Sequence, residues 1–383
     1  MRILVVHNFY QDPGGEDEVF RLEKAMLSET EEVFELTFSN KKGWAGWIQF
    51  LLYPYNFIAM RRIKAAIKQF KPDLVHIHNL HYAIGPAGIK AVKKFKIPLV
   101  MTLHNFRLIC PSATLFNNGN VFLDSVKSDF PWKAVKLGLF SNSIIKTFWL
   151  AFANWAHKKM GTYNLVDQYI VLTDFARKIY LSSTLNISEQ KFSLKPNFIF
   201  KLDFPNKPKQ DYFLYVGRLS EEKGIRIALN AALKGDFKLS IAGDGPLKNE
   251  LLSAAAQNKN IVLLGALSKN EVLSQMSSCS ALVFPSICFE GMPMSIIEAF
   301  ACATPVIASN LGAMQTMITD GENGLFFNPG DVDSLLGNIA KFSSLTQQSK
   351  LQMGANAKLA YESSYTEKEN KNILMQIYSK AMQ

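Results

Sequence analysis

Short apolar runs alternate with longer amphipathic stretches along most of the chain, and this pattern predicts strands separated by helices. In the first half, strands are predicted at residues 1–7, 73–78 and 97–103, and helices at 17–28 and 85–96. In the second half, strands are predicted at 212–216, 238–242, 261–264, 281–284 and 305–308. Such alternation favours an α/β fold in which helices cover both faces of parallel sheets.

The length of the chain indicates more than one domain. A chain of 383 residues exceeds one ordinary hydrophobic core, so we expect two domains of Rossmann-like size. The boundary is predicted at Lys195-Pro196-Asn197, ahead of a polar stretch at 201–210. This gives one domain over residues 1–197 and a second over 198–364, followed by an amphipathic helix within 365–383.

The cysteines and the amino terminus favour a cytoplasmic protein. The four cysteines form neither a CxxC pair nor a disulfide framework, so buried, reduced thiols are expected; they are Cys110, Cys279, Cys288 and Cys302. The apolar run that begins the chain is too short for a signal peptide and is typical of a first strand.

Residues 289–298 contain a candidate phosphate-binding segment. Glu290 and a Gly/Pro loop follow a predicted strand, and a helix is expected to begin at about Pro293. The free amides and the dipole of a helix N-terminus favour phosphate, and Glu298 lies about a turn and a half further along. A diphosphate flanked by a sugar and a ribose fits this chemistry, although a pair of solvated glutamates beside an ordinary turn would have the same spacing.

A second motif favours the diphosphate interpretation. The predicted strand at 212–216 runs into Gly217 and Arg218, and Lys223 precedes a further helix for which Ser220 is the expected N-cap. Ligands of open α/β sheets bind at the carboxyl ends of the strands. Two cations at that place can neutralise a diphosphate.

These residues together resemble a known family. A strand, a Gly-Arg pair, Lys223 and then a Phe-Glu-Gly-x-Pro segment with Glu290 and Glu298 are similar to the retaining glycosyltransferases of the GT-B fold, family 4. The similarity extends over nearly the whole chain, including its start and the turn at Gly243-Asp244-Gly245-Pro246.

The resemblance implies a fold and a reaction. Two Rossmann-like domains would face each other across a cleft, and the last helix would cross back to the first domain. The first domain would bind an acceptor, and the second a UDP- or GDP-sugar. Transfer would retain the anomeric configuration, without a general base, onto a glycan or lipid-linked acceptor in cell-surface polysaccharide synthesis.

The resemblance also implies roles for single residues. Arg218 and Lys223 would stabilise the departing β-phosphate, Glu298 would hold the ribose, and Glu290 would fix sugar hydroxyls. The expected catalytic residues are Arg218, Lys223, Glu290 and His104, and the expected donor-binding residues are Gly15, Gly217, Gly243, Gly291, Met292, Pro293, Met294 and Glu298.

The amino-terminal half adds weaker signals. The pair Gly14-Gly15 lacks the GxGxxG spacing of a nicotinamide or flavin site, and the family assigns this loop to the donor diphosphate and the acceptor. His76 and His78 alternate on a strand as metal ligands can, but no carboxylate or cysteine is near in sequence, so a structural or cleft-lining role is favoured. The residues expected on the acceptor side are Glu16, His78 and His81.

No metal and no other cofactor are expected. The Asp331-Val332-Asp333 sequence has the form of a metal-binding Asp-x-Asp, but it follows a Pro-Gly turn and is better explained as the first turn of a helix. Arg218 and Lys223 would supply the charge that a divalent ion provides in other glycosyltransferases.

Two stretches indicate attachment to an anionic membrane. Residues 131–160 and 44–71 combine lysines or arginines with tryptophans and phenylalanines, and they contain no acid. Neither has the run of apolar residues that a spanning helix needs, so we expect peripheral attachment at the inner face of the cell membrane. The net charge of +10 lies beside aromatic residues rather than in a nucleic-acid-binding motif, so no nucleic acid is expected; an amphipathic helix with a core-facing apolar side remains the alternative.

Other functions share the fold and the diphosphate site. A nucleotide-sugar 2-epimerase would need no second substrate, and a glycan phosphorylase would consume a glycosyl phosphate. A non-catalytic scaffold of membrane-associated glycan assembly would keep its function in cells after substitution of Arg218 or Glu298.

Overall fold

The computed structural model describes residues 1–11, 14–202 and 208–383. The chain divides into two compact units. The amino-terminal unit comprises Met1–Asn117, Phe122–Asn197 and Lys368–Gln383, and the carboxyl-terminal unit comprises Asn118–Val121 and Phe198–Glu367.

The first half of the chain forms eight strands and eight α-helices among the described residues. The strands are β1 (Arg2–Phe9), β2 (Glu32–Ser39), β3 (Leu74–Ile77), β4 (Leu99–Leu103), β5 (Phe116–Asn117), β6 (Asn120–Val121), β7 (Gln168–Val171) and β8 (Phe192–Leu194). The helices are α1 (Gly15–Ser28), α2 (Gly43–Leu51), α3 (Phe57–Phe70), α4 (Ala87–Lys93), α5 (Asp124–Lys127), α6 (Trp132–Lys136), α7 (Ile144–Lys159) and α8 (Asp174–Leu181).

The sheet of the amino-terminal unit is parallel, with strand order β2-β1-β3-β4-β7-β8. Its central strands are buried on both faces, so every residue of β3 and β4 is buried, and the polar side chains among them, His76 and Thr102, pair with each other at 2.8 Å. The chain proceeds in one direction from β1 to β2 and in the other from β3 onward. The loops after β1 and β3 therefore lie at a topological switch point, where open α/β sheets bind ligands.

The carboxyl-terminal unit repeats this plan. Its strands are β9 (Phe213–Val216), β10 (Leu239–Ala242), β11 (Ile261–Gly265), β12 (Ala281–Phe284), β13 (Val306–Ser309) and β14 (Gly324–Phe327). Its helices are α9 (Ile225–Lys234), α10 (Lys248–Gln257), α11 (Lys269–Ser278), α12 (Met294–Ala301), α13 (Met314–Met317), α14 (Val332–Ser344) and α15 (Gln347–Ser364). The sheet is parallel, with order β11-β10-β9-β12-β13-β14, so its switch point lies between β9 and β12.

The last helix, α16 (Glu367–Met382), packs on the amino-terminal unit. Its Tyr378 is fully buried, and the hydroxyl lies 2.8 Å from His76 Nδ1 of β3. This hydrogen bond joins α16 to β3, a central strand of the sheet, and so fixes where the helix packs.

The predicted fold class is confirmed, since both units are doubly wound parallel α/β sheets of the Rossmann type, as in the GT-B fold. The strand predicted at 281–284 has the observed bounds, and the other predicted strands differ by one or two residues at one or both ends. Strands β2, β7, β8 and β14 of the two sheets were not predicted from the sequence. Asp331 caps α14 by accepting from Ser334 N at 2.9 Å, which is the helix-start role predicted for it.

Candidate active site

Two loops of the carboxyl-terminal unit leave the sheet at its switch point and bring both sequence motifs together. The loop after β9 carries Arg218 and Lys223, and the loop after β12 carries Glu290. These strands are neighbours in the sheet, with Leu214 opposite Leu282. The two motifs, about seventy residues apart in sequence, therefore meet because parallel neighbouring strands end at the same edge.

Lys223 forms an ion pair with both carboxylate oxygens of Glu290. Lys223 Nζ lies 2.7 Å from Glu290 Oε1 and 2.8 Å from Oε2, and Ser286 donates its hydroxyl to Oε1 at 2.7 Å. Burial opposes the charged form of Lys223, but the carboxylate of Glu290 outweighs it and raises the pKa of Lys223. The lysine is a fixed cation whose side chain remains 31% exposed.

Arg218 lies at the same strand end with an exposed side chain. Its carbonyl accepts from the Tyr215 hydroxyl at 2.7 Å, which anchors the backbone of the loop. The ends of β9 and β10 approach so closely that a Cβ on Gly243 would lie 1.9 Å from the carbonyl oxygen of Gly217. Only glycine fits there, which gives the turn after β10 a packing reason independent of any ligand.

The helix after the Arg218 loop begins later than the sequence predicts. Ser220 is not a side-chain cap, because its hydroxyl donates to Glu222 Oε1 at 2.6 Å and a short 3₁₀ turn, Glu221–Lys223, follows it. Helix α9 starts at Ile225, with Gly224 as N-cap at φ 68°. A Cβ on Gly224 would lie 1.8 Å from the Pro285 carbonyl, so a glycine is required where the two loops touch.

The predicted phosphate-binding segment ends in α12. Pro293 is the N-cap rather than the first helical residue, with φ −67° and ψ 118°, and no side chain caps the helix. The amides that follow Pro293 are thus free of a side-chain cap at a helix start, as an anion site requires. Glu298, which is 6% exposed, lies within this helix and accepts from Lys269 Nζ of α11 at 2.5 Å.

The switch point of the amino-terminal unit holds Glu16 and two amides. Gly15 is the first residue of α1, and Glu16 follows it. Asn105 donates to Glu16 Oε2 at 3.2 Å, and Asn79 donates to Oε1 at 3.4 Å. Burial and the neighbouring Asp17 raise the pKa of Glu16 to about 8, against the opposing charge of Arg107.

Two histidines of this unit, His78 and His104, stack on each other, and His81 lies apart from them. His78 is buried, and its Nδ1 lies 3.2 Å from Nε2 of His104, which is partly exposed. His81 is buried among aromatic rings, with ring centroids 5.3 Å from Tyr53 and 5.5 Å from Phe140. His78 and His81 thus lie in the interior, whereas His104 presents part of its ring to the surface of the unit.

Comparison with known proteins assigns the family. Residues 38–199 match the family described as Glycosyltransferase Family 4, and residues 197–360 match Glycosyl transferases group 1. The chain belongs to these glycosyltransferases. The predicted family is confirmed.

Two curated relatives illustrate the range of this glycosyltransferase family. The chain is 33% identical over 155 residues to an uncharacterized glycosyltransferase of Methanocaldococcus jannaschii, covering 40% of this chain and 44% of that protein. It is 27% identical over 292 residues to the putative teichuronic acid biosynthesis glycosyltransferase TuaC of Bacillus subtilis, covering 74% and 66%. The chain thus spans from under half to about two thirds of the length of these relatives.

A solved structure shares the whole architecture. Anabaena HepE, crystallised in complex with UDP, superposes with a TM-score of 0.69 over 99% of this chain and 100% of its own, at 15% identity. At this identity the likeness shows the fold alone.

Several residues that contact the predicted site residues, directly or through one neighbour, were not predicted from the sequence. They are Glu23, Lys195 and Asn105 in the amino-terminal unit and Ser286 and Lys269 in the carboxyl-terminal unit. Glu23 of α1 supplies the carboxylate that the strand histidines lack in sequence, with Oε1 3.1 Å from His76 Nδ1. A signal was present, because Glu23 occupies a buried position of the α1 stripe together with Val19, Phe20 and Met26.

The basic aromatic stretches form one exposed surface of the amino-terminal unit, which we call the aromatic face. Helices α2 and α7 pack together, since Trp149 Nε1 donates to the Phe50 carbonyl at 3.0 Å and Lys146 Nζ lies 4.9 Å from the Trp47 ring centre. The aromatic face consists of Trp44, Trp47, Ile48, Leu51, Trp132, Ile144, Ile145, Phe148 and Phe152, each more than a third exposed.

The surroundings of the aromatic face are less strongly basic than the sequence suggests, because an acid pairs with two of the lysines. Lys158 and Lys159 lie 2.9 and 3.0 Å from Asp129, an acid just outside the predicted stretch. Exposed Lys41 and Lys42 precede α2 and keep positive charge at the edge of the face. Within the described ranges, none of the helices combines the length and apolarity needed to cross a bilayer.

Proposed function

We propose that this protein is a retaining glycosyltransferase that moves a sugar from a UDP- or GDP-sugar to a hydroxyl of a glycan or lipid-linked acceptor in cell-surface polysaccharide synthesis. The observation that carries the proposal is the Lys223–Glu290 pair beside exposed Arg218 at the switch point of the carboxyl-terminal unit. The likeness to a UDP-bound fold and to a teichuronic acid glycosyltransferase supports the donor and acceptor classes.

The reaction needs a stabilised leaving group. As the bond from the anomeric carbon to the phosphate oxygen breaks, negative charge accumulates on the β-phosphate. Lys223 is held by Glu290, and Arg218 lies at the same strand end, so both cations are placed where this charge develops, and this is the main catalytic contribution. Because these two cations and the α12 N-terminus supply positive charge, we propose that the reaction requires no metal ion.

The carboxylates position the donor. Glu298 accepts hydrogen bonds from the ribose hydroxyls, in exchange for its present contact with Lys269. Glu290 and the amides of residues 291–294 hold the sugar hydroxyls and the phosphate, and His104 keeps the role that the family implies, contact with a hydroxyl of the donor sugar. Gly15 provides an amide at the start of α1 for the donor, and Glu16 provides a carboxyl group on the acceptor side.

Retention requires no general base in this scheme. The acceptor hydroxyl attacks on the face from which the nucleoside diphosphate departs, and the leaving phosphate oxygen takes the hydroxyl proton. One bond forms between the acceptor oxygen and the anomeric carbon, one breaks to the phosphate, and the proton ends on the nucleotide.

A thermal-shift panel tests the donor class. UDP-, GDP- and ADP-sugars are added to the intact protein, and a ligand that binds only the folded state raises the melting temperature. We expect a UDP- or GDP-sugar to raise it in wild type and not in Arg218→Ala. A response to none of these donors, or an equal response in the variant, contradicts the proposal. Release of free nucleotide without transfer to any acceptor would instead favour an epimerase.

We also propose that the aromatic face lies in the interface of an anionic membrane on the cytoplasmic side. Trp44 is 78% exposed and Ile145 is 78% exposed, and apolar side chains at such exposure are typical of surfaces that enter the headgroup region. Lys41 and Lys42 flank the face and favour anionic lipid. A lipid-linked acceptor would then be met where it is anchored.

Tryptophan fluorescence reads this contact directly, because all five tryptophans lie within residues 44–155. We expect phosphatidylglycerol vesicles to shift the emission to the blue and to carry the protein in flotation, both reversed by salt. The double variant Trp44→Ser, Ile145→Ser should lose both effects. The matched control is Leu351→Ser, Leu359→Ser, two exposed leucines of α15. Equal recovery on neutral vesicles, or unchanged binding of the first variant, contradicts the proposal.

A further inference from the structure

A buried cluster in the amino-terminal unit connects α1 to the partly exposed His104. Glu23 Oε1 lies 3.1 Å from His76 Nδ1 and 3.1 Å from His78 Nε2. On the other side of its ring, His78 Nδ1 lies 3.2 Å from His104 Nε2. The contacts form a chain from a carboxylate that is fully buried to a histidine that reaches the surface of the unit.

The cluster has the ligand types of a metal centre, but it already contains a cation. Potential ligand atoms of Glu23, His76 and His78 lie within 4.8 Å of one another. Lys195 Nζ lies 2.7 Å from Glu23 Oε2 and donates to Asn370 Oδ1 at 3.1 Å, and its side chain is 1% exposed. A divalent ion at this carboxylate would meet the ammonium with little solvent to screen it. The arrangement therefore fits a buried ion pair, with one nitrogen each of His76 and His78 3.1 Å from Glu23 Oε1 but not aligned for a hydrogen bond to it.

The charge on Glu23 fixes the protons of the histidines. Burial opposes ionisation of Glu23, but Lys195 and the histidine N–H groups outweigh it and hold the pKa of Glu23 well below its usual value. Burial and His76 lower the pKa of His78 to about 3, and burial and His78 lower the pKa of His104 well below its usual value. Both imidazoles are therefore neutral at pH 7, with one N–H and one lone pair each.

We propose that Glu23 is a positioning residue that sets the tautomer of His104. Nε2 of His78 must carry the proton, because a lone pair there would face the carboxylate. Nδ1 of His78 is then an acceptor, so Nε2 of His104 must donate to it. The second nitrogen of His104, Nδ1, is left as a hydrogen-bond acceptor.

The consequence for substrate binding rests on the proposed function. An acceptor nitrogen on His104 takes a hydrogen bond from a sugar hydroxyl and rejects a group that can only accept. The same tautomer logic applies at His76, because a proton on Nδ1 facing Glu23 leaves Nε2, which lies 2.8 Å from the Thr102 hydroxyl, as an acceptor. The buried charge pair thus fixes the proton positions of three rings in sequence.

Nitrogen-15 NMR of the histidine rings tests the tautomers in the intact wild-type protein, which has six histidines. We expect His78 and His104 to be neutral with the proton on Nε2, each signal assigned through the loss of a resonance in His78→Gln and His104→Gln. His157 is an internal reference in the same unit, because its Nε2 must donate to the Pro54 carbonyl at 2.7 Å. A proton on Nδ1 of His104 in wild type overturns the proposal.

The variant Glu23→Gln should reverse the chain. The introduced amide keeps its oxygen towards Lys195 and turns its NH₂ group towards His78 Nε2, so both His78 and His104 move the proton to Nδ1, while His157 stays unchanged. The kcat/KM for transfer should fall about tenfold, because Nδ1 of His104 then meets a sugar hydroxyl as a donor. Retention of the wild-type His104 tautomer in a folded Glu23→Gln protein contradicts the proposal.

The tautomer assignment and the proposed function can be tested independently of each other. If the variant does not fold, the wild-type spectrum alone still supports or overturns the tautomer assignment. If the spectra are as expected but no nucleotide-sugar binds or reacts, the proposed function fails and the tautomer assignment stands.

Discussion

Two of the Lys–Glu ion pairs have the same N–O distance but very different exposure to solvent. Lys223 and Glu290 of the carboxyl-terminal unit lie 2.7 Å apart with side chains 31% and 13% exposed, and Lys195 and Glu23 of the amino-terminal unit lie 2.7 Å apart at 1% and 0%. A pair that water reaches can exchange partners with a ligand at small cost, whereas a pair without solvent cannot. We therefore expect the first to serve substrate binding and the second to serve stability and proton positions.

Breaking the buried pair should have the largest effect. In Lys195→Met, the Glu23 carboxylate loses its counter-ion without gaining water, so the free energy of unfolding should fall by about 3–5 kcal/mol. Urea unfolding monitored by circular dichroism measures this. The double variant Glu23→Leu, Lys195→Met should recover part of the loss, because no charge is then left alone in the core.

The control for this prediction is Lys178→Met. Lys178 pairs with Asp174 at 2.8 Å but is 75% exposed, so its loss should leave the unfolding curve almost unchanged. If Lys195→Met had the same free energy of unfolding as Lys178→Met, burial of an ion pair would not determine how much its loss destabilises the protein.

Removing Lys223, the cation of the partly exposed pair, should lower the turnover rate and leave folding unchanged. In Lys223→Ala we expect kcat to fall by about 10²–10³-fold, since a preorganised charge is lost where the leaving group develops its own. The melting temperature should stay near that of wild type. Steady-state transfer with the donor found in the thermal-shift panel gives the measurement.

Lys234→Ala is the matched control for this variant. Lys234 lies in the same unit and pairs with Asp333 at 2.9 Å on the surface, and its loss should leave kcat unchanged. Near-normal turnover of Lys223→Ala would exclude the lysine from catalysis. It would also contradict the expectation that the Lys223–Glu290 pair serves the substrate.

The partly buried carboxyl group of Glu16 extends the comparison to pH. The native pKa of Glu16, about 8, is above its usual 4.5, so between these values the folded state keeps a proton that the unfolded state has lost. The free energy of unfolding should therefore decline as pH rises through this window, and Glu16→Gln should lack that part of the decline. Urea titrations at pH 5, 7 and 9 measure the difference, with Glu18→Gln on the same helix as control. If the free energy of unfolding changes with pH equally in wild type and in Glu16→Gln, the raised pKa of Glu16 is contradicted.

The smallest effect is expected from chelation. If Arg218 and Lys223 supply the positive charge at the leaving group, EDTA should leave turnover nearly unchanged. Loss of activity that Mg²⁺ or Mn²⁺ restores would show that the lysine pair does not carry this role alone.

The two pairs also differ in how far the sequence predicts them. Lys223 and Glu290 follow strands, and neighbouring parallel strands end together, so their meeting at one sheet edge was predictable once the motifs were placed on the fold. Glu23 lies on an amphipathic helix, where a glutamate is usually solvated, and Lys195 fell in the predicted linker. Their pairing spans 172 residues and depends on tertiary packing, which local pattern does not encode.

The same limit applies to the edges of the candidate site. Lys269 reaches Glu298 from a different helix, and Asp129 pairs with two lysines of a stretch that contains no acid of its own. Each contact depends on the three-dimensional arrangement of side chains from separate elements. Sequence reasoning could name the charged residues but not their partners.

The closeness of Gly224 to the Pro285 carbonyl has a practical consequence for engineering. Ile287 N also donates to the Glu222 carbonyl at 3.1 Å, so the segments that carry Lys223 and Glu290 are joined by backbone contacts. Insertions or loop grafts intended to alter sugar preference should therefore exchange both segments at once. A graft of one alone would misplace the residues of the other.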